Sequence, residues 1–409
     1  WLSAHSSFKD TIDKKFDIAE DIEYIVVKSG CAEEAAARYK VARTAGKRVL
    51  LALSLHADED KLENYDSLLQ AIDEPAFIFQ DEADYGAHTD RCRAVLKPFV
   101  NNGHKNLVVL GTGSNIGRAC LGANEYKAQF HGPITVDYVD LLNAKHGQGF
   151  LFDSAFIGSG PRERTALADI RNNKEVYMNR LKDLTELNYA HLELSDSVTR
   201  VLQAANPEVI PAMAKMFENR NIAQGKAFLK CVFGDECAGE INFINMNAQI
   251  RGDWQTDFPV VGLFIGGNEQ IIPIENVVKY AQSVNPDWKF VPLHGEVTTN
   301  EKAEKYIEQE IAIAKREALF GTSYEGLVFV SAGVGSRSFS IPNVEMIIRM
   351  IDGGTNATAV QQGLRCATPH VDKTNALVVD MCINRTTLSG FTDRKSTRLN
   401  SSHANISYA

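Results

Sequence analysis

The chain has 409 residues, enough for two domains and an insertion, and its 44% hydrophobic and 23% charged content is that of an ordinary globular protein. There is no apolar run of membrane-spanning length and no basic-then-apolar leader at the amino end. A net charge of −9 excludes a protein that coats nucleic acid by bulk positive charge, but not one that grips a backbone through a few local groups.

From the amino end, short apolar strands alternate with helices. Glu23 to Lys28 is a β-branched run, Ala32 to Thr44 an alanine-rich helix stopped at Gly46, and Arg48 to Ser54 a second strand. A polar-faced helix is expected from Asp58 to Ile72, a strand from Ala76 to Phe79, a helix from His88 to Val100 and a strand from Asn106 to Leu110. Continuous apolar strands separated by helices predict a parallel sheet covered on both faces, with functional groups at the carboxyl ends of the strands. Asp81 and Gly111 to Ser114 fall at such ends.

The middle of the chain breaks this rhythm. Ile134 to Tyr138 could be a strand, and the pattern from Arg162 to Cys231 is mostly helical, punctuated by Pro207 and Pro211. From Phe258 the alternation resumes. Strands are expected at Pro259–Ile265, Trp288–Leu293, Gly326–Val330, Val344–Met350 and Ala376–Met381, and helices at Pro273–Val284 and Asn300–Leu319. Seven cysteines are scattered, and only Cys231 and Cys237 lie close; that lone spacing is not a zinc pattern, and free buried thiols in a reducing cytoplasm are expected.

Both ends carry a reading of their own. The chain begins at Trp1 rather than Met, as a fragment or processed form would. Residues Asp393 to Ala409, DRKSTRLNSSHANISYA, have no apolar periodicity and resemble a translated sequencing adapter; they carry a net +2, which leaves −11 for the rest.

The stretch that carries chemistry is Ala76 to Asp84, a strand that runs into Asp81, Glu82, Ala83 and Asp84. A strand end fixes a carboxylate rigidly enough to hold Mg²⁺, and a second carboxylate beside it can orient or deprotonate an attacking water. The tetrapeptide reads DEAD, and here the chain resembles the superfamily 2 helicases and nucleic-acid translocases. Three further segments resemble that family in the same order. Thr112-Gly113-Ser114 is similar to its Ser-Ala-Thr motif. Leu327 to Pro342 (LVFVSAGVGSRSFSIP) resembles a second-domain motif, with Ser331 near its Thr, Arg337 at its Arg and small residues such as Gly333 between, while Ser338 and Ser340 stand where the family has Gly and Asp. Gln361 to Pro369 (QQGLRCATP) resembles the final motif, with Gln361 at its Gln and Arg365 at the finger arginine; Gln362 and Thr368 stand where further arginines are common. Val261 to Gly267 and the turn at His294-Gly295 resemble weaker second-domain motifs.

The resemblance implies two RecA-like parallel-sheet α/β domains in tandem. It divides the chain into 1–130, a connecting or inserted, largely helical 131–254, a second RecA-like domain at 255–392, and the adapter-like 393–409. It implies ATP and Mg²⁺ as cofactors, with Asp81 and Glu82 at the metal and Glu82 as base. Arg365 would be the finger, with Gln361, Gln362 and Gly333 at the nucleotide. Asp84, Thr112 and Ser114 would couple ATP state to grip, and Ser331, Arg337 and His294 would face nucleic acid or the cleft. The implied partner is nucleic acid, DNA ahead of RNA, with no membrane, in the cytoplasm of a bacterial or phage-infected cell.

No G-x-x-x-x-G-K-[ST] phosphate loop occurs in the chain, and such a loop belongs upstream of DEAD in the family, so this stretch alone is expected to hydrolyse ATP poorly. Two other readings stay open: a non-catalytic nucleic-acid clamp with a degenerate motor, and the motor subunit of a restriction system.

Overall fold

Among the described residues every pairing between strands is parallel, and the strands fall into two sheets. The computed structural model describes residues 2, 3, 12, 18–27, 31–54, 66–72, 74–81, 107–111, 138–155, 157, 160–193, 216–219, 222–234, 241–265, 271–299, 302–332, 334, 340–350 and 362–382. Its contacts separate into two units, 1–135 and 136–409.

In the first unit the strands are β1 (Leu2–Ser3), β2 (Ile22–Val27), β3 (Arg48–Ser54), β4 (Phe77–Asp81) and β5 (Leu107–Leu110), in the order β2-β3-β1-β4-β5. Helix α1 (Ala32–Thr44) has the bounds expected from its alanines. Ala32, Ala35, Ala36 and Tyr39 lie buried with Ile25, Val27, Leu53 and Ile78, where small side chains let the helix approach the sheet closely. Glu33 and Glu34 in its first turn and Arg43 in its last oppose the helix dipole favourably, and Arg43 pairs with Glu74. Of the helix expected at Asp58–Ile72, α2 (Asp66–Ala71) is described; the helix expected at His88–Val100 lies outside the described residues.

The second unit is built on six strands, β6 (Glu186–Glu193), β7 (Val260–Phe264), β8 (Trp288–Leu293), β9 (Gly326–Ser331), β10 (Val344–Arg349) and β11 (Asn375–Cys382), in the order β6-β11-β10-β7-β9-β8. Its described helices are α3 (Tyr138–Lys145), α4 (Pro161–Asn172), α5 (Lys174–Arg180), α6 (Ile222–Phe233), α7 (Phe243–Ile250), α8 (Ile271–Val284) and α9 (Ala303–Glu317). The sheet is buried on both faces. Val261, Leu263, Val328, Val330, Met346, Ile348, Leu377 and Val379 share one core with α6, α7 and α8. Val260, Phe264, Leu327, Phe329, Ile347 and Val378 share another with α9. This two-sided burial is why the strands read as unbroken apolar runs. Gly262 admits the rings of the second core, since a Cβ there would stand 2.4 Å from Phe329.

Three sequence expectations meet a different structure in part. Strand β6 interrupts the stretch read as mostly helical and pairs along its whole length with β11, from Glu186↔Asn375 to Glu193↔Cys382. Tyr138, read as the end of a strand, begins α3. The expectation of free buried thiols holds for Cys366; Cys31 is free but only half-buried, and Cys231 is disulfide-bonded, a state that depends on a second sulfur in space, which spacing alone does not disclose.

At the amino end of the second sheet a buried knot ties the segment after α7 to the strands. The Glu345 carboxylate accepts from Thr256 N (2.7 Å), Thr256 Oγ1 (2.6 Å), Gln255 N (3.0 Å) and Arg251 Nη2 (2.6 Å). Arg251 also donates to Asn375 O and Oδ1. Burial alone would push the Glu345 carboxyl up, but the Thr256, Gln255 and Arg251 donors together hold it below the usual range. Nearby, Lys373 Nζ donates to Pro342 O (2.7 Å) and Val344 O (2.9 Å), and burial pushes its pKa down to about 8.

Glu345→Gln should destabilise the protein by about 3 kcal/mol at neutral pH, because it leaves Arg251 charged and buried. A carboxyl with a depressed folded pKa contributes stability above its unfolded value, here the ordinary 4.5, and loses it as pH falls through the folded value. The wild-type advantage should therefore be constant at neutral pH and shrink below 4.5, which urea-denaturation midpoints of both proteins across that range would check.

Candidate functional site

Strand β4 ends at Asp81, whose backbone is in register with Ser3 of β1, and Ser3 also pairs with Ser54 of β3. On the other side β5 ends beside β4: Gly111 N donates to Gln80 O at 2.8 Å. A Cβ on Gly111 would come within 2.7 Å of the Phe79 ring, so the small residue lets the chain leave β5 close against β4. The carboxyl ends of β3, β1, β4 and β5 thus form one contiguous rim, the place where a parallel sheet presents functional groups. Asp81 closes the strand at that rim. Its side chain, and Glu82, Asp84, Thr112 and Ser114, lie outside the described residues.

The second sheet has a corresponding rim. The register sets Asp380, Arg349, Phe264, Ser331 and Leu293 side by side across β11, β10, β7, β9 and β8. Paired residues of parallel strands share a face, so this row crowns the core that contains α9. Two of its members form a buried ion pair: Arg349 Nη1 donates to Asp380 Oδ2 at 2.7 Å, with both side chains 2% exposed. Tyr189 Oη on β6 donates to the same oxygen at 2.7 Å, and Asp380 Oδ1 is buried without a hydrogen-bond partner.

Of the residues expected to function, Gln362, Ser331 and His294 sit on or near this rim, and the turn that carries Arg365 leads from Gln362 toward Thr185, just before β6. Gln362 is buried, and its Oε1 accepts from Arg349 Nε at 3.2 Å. Arg365 is half-buried on the 3₁₀ turn Leu364–Ala367 that follows. Ser331 is fully buried at the end of β9, and its Oγ donates to Val334 O within its own turn. His294 follows the edge strand β8; its Nε2 lies 2.9 Å from Glu275 Oε1 on α8, and its Nδ1 is buried without a partner. Gln361, Gly333 and Arg337 lie outside the described residues. Arg349, Asp380 and Tyr189 were not singled out by sequence, though a charged residue closing each of the apolar runs VEMIIR and NALVVD was a usable signal.

No family model matches the chain, and no curated protein matches it. Among solved structures, it is similar to Mss116p bound to ssRNA and AMP-PNP, at 12% identity and a TM-score of 0.45, over 100% of this chain and 64% of that one. It is similar to the ATP-dependent Type ISP restriction-modification enzyme LlaBIII bound to DNA, at 13% identity and a TM-score of 0.41, over 88% of this chain and 22% of that one. A third likeness is to the Mycobacterium smegmatis helicase Lhr bound to ssDNA and AMP-PNP, at 9% identity and a TM-score of 0.40, over 95% of this chain and 40% of that one. The chain thus spans about a fifth of the restriction enzyme and under two thirds of Mss116p. Likeness at this level transfers neither residues nor activity.

The rim pair allows a direct energetic test. Arg349→Met should destabilise the protein by about 3–5 kcal/mol, because Asp380 is left as a buried unpaired carboxylate. The double variant Arg349→Met/Asp380→Leu should recover part of that loss, since the apolar pair leaves no buried charge unpaired, although Gln362 Oε1 loses its donor and Tyr189 Oη its acceptor. Urea melts of the three proteins would check it; a single variant within about 1 kcal/mol of wild type would contradict the buried-charge account.

Proposed function

We propose that this chain is the motor portion of a superfamily 2 helicase or translocase, which couples hydrolysis of Mg-ATP to movement on or remodelling of nucleic acid, DNA ahead of RNA. The observation that carries the reading is the sequence Asp81-Glu82-Ala83-Asp84 starting where the parallel strand β4 ends. A carboxylate fixed by such a strand is positioned by the sheet and not by a mobile loop.

Asp81 and Glu82 offer hard oxygen donors, the chemistry that suits Mg²⁺, and the bound ion would neutralise charge on the phosphate oxygens. Glu82 would accept the proton of the attacking water as its oxygen bonds to the γ-phosphorus and the bond to the β–γ bridging oxygen breaks. Arg365 would present its guanidinium to the negative charge developing on the transferred group, with Gln361 and the Gly333 backbone beside the phosphates. Asp84, Thr112 and Ser114 would report the state of the nucleotide to the nucleic-acid grip. Arg337, Ser331 and His294 would serve that grip or the cleft; His294 enters this role with Glu275 on one ring nitrogen and nothing on the other.

In the full-length gene product, Glu82→Gln should lower nucleic-acid-stimulated ATP turnover about a hundred-fold or more while sparing ATP binding. Turnover by steady-state phosphate release and binding by a fluorescent nucleotide separate the two effects. Retained turnover would remove Glu82 as the base, and a wild-type protein indifferent to nucleic acid would remove the motor reading.

A further inference from the structure

We infer that Arg349 is a positioning residue: its ion pair with Asp380, braced by Tyr189, anchors the turn 362–367 through Gln362 and thereby sets where Arg365 presents its guanidinium. This inference rests on the reading of Arg365 given above.

The chain of contacts is continuous and lies wholly within the second unit. Arg349 and Asp380 are directly paired residues of β10 and β11, so the backbone register brings them together before any side-chain choice is made. Asp380 Oδ2 accepts from Arg349 Nη1 and from Tyr189 Oη, both at 2.7 Å, which fixes the guanidinium plane. The Arg349 Nε thus directed donates to Gln362 Oε1 at 3.2 Å. Gln362 and Arg365 are three residues apart on a helical turn, so they share a face, and restraint at the first orients the base of the second.

The other side of the turn is restrained independently. Cys366 is fully buried, burial pushes its thiol up to about 12 so that it stays neutral, and its Sγ lies 3.1 Å from Gly363 O. Thr368 Oγ1 donates to Arg365 O at 3.2 Å, and Thr185 Oγ1 donates to Thr368 O at 3.3 Å. Strand β6 and the residue just before it therefore frame the turn twice, through Tyr189 and through Thr185.

A buried ion pair is a weak source of stability, because an apolar pair would fill the same space without desolvating two charges. What an apolar pair lacks is direction: it would leave the Gln362 amide without the donor that orients it. The arrangement suits a device for aiming a side chain better than one for holding two strands together.

The test uses the full-length gene product with Gln362→Met, which keeps the volume and removes the acceptor, Gln362→Glu, which keeps an acceptor oxygen in place, Arg365→Ala, and the double variant Gln362→Met/Arg365→Ala. Gln362→Met should lower nucleic-acid-stimulated kcat about ten- to a hundred-fold with KM for ATP nearly unchanged, and Gln362→Glu should restore most of it. The double variant should be no slower than Arg365→Ala, because Gln362 acts only through Arg365. Multiplicative losses in the double variant, or a rise in KM without loss of kcat, would overturn the inference. Amide hydrogen exchange over 362–367 is read on the same proteins and should accelerate in Gln362→Met but not in Gln362→Glu; unchanged exchange would overturn the anchor whatever the enzyme does. If the wild-type protein turns over no ATP, the motor reading fails, and the exchange result alone then decides the anchor.

Discussion

Parallel pairing is the constraint from which the rest of the structure follows. Parallel strands need crossover connections, the crossovers cover both faces of the sheet, and the sheet interior is left with no water to satisfy a polar side chain. In the second unit β7 and β9 are buried along their whole length, and polar chemistry is displaced to the two ends of the strands. Those ends are finished differently. At the amino end, the Glu345 carboxylate has donors on both oxygens and Lys373 is held by two carbonyls. At the carboxyl end, Asp380 Oδ1 and His294 Nδ1 are buried with no partner.

That asymmetry has a physical meaning. A buried polar atom without a partner costs free energy, so a fold keeps few of them, and those it keeps call for an explanation. The satisfied amino end reads as a structural knot that holds the segment after α7 against β10 and β11. The carboxyl end keeps two buried polar atoms, Asp380 Oδ1 and His294 Nδ1, without such partners. At the first sheet the register brings the ends of β3, β1, β4 and β5 level, and Asp81 closes β4.

Elements with a single dominant signal were legible in sequence. Helix α1 and strands β3 and β8 have the bounds expected, because an alanine-rich run ended at Gly46 and two unbroken apolar runs each admit one reading. The elements missed are those decided by partners in space. Strand β1 has two residues, too few for any period, and exists because β3 and β4 flank it. The segment ELNYAHLE of β6 is rich in good helix formers, and its strand state comes from full-length pairing with β11. Motif order pointed to Asp81, Glu82 and Arg365, but the Arg349–Asp380 pair was not read as a unit, since it depends on a register between strands about thirty residues apart.

The central claim, that the end of β4 is where Mg-ATP is held, is tested most directly by iron-mediated backbone cleavage of the full-length gene product, with Fe²⁺ in place of Mg²⁺. The account predicts ATP-dependent scission at Asp81 and Glu82, suppressed when both are replaced by their amides. Scission that is independent of ATP, or that falls away from the end of β4, would contradict it.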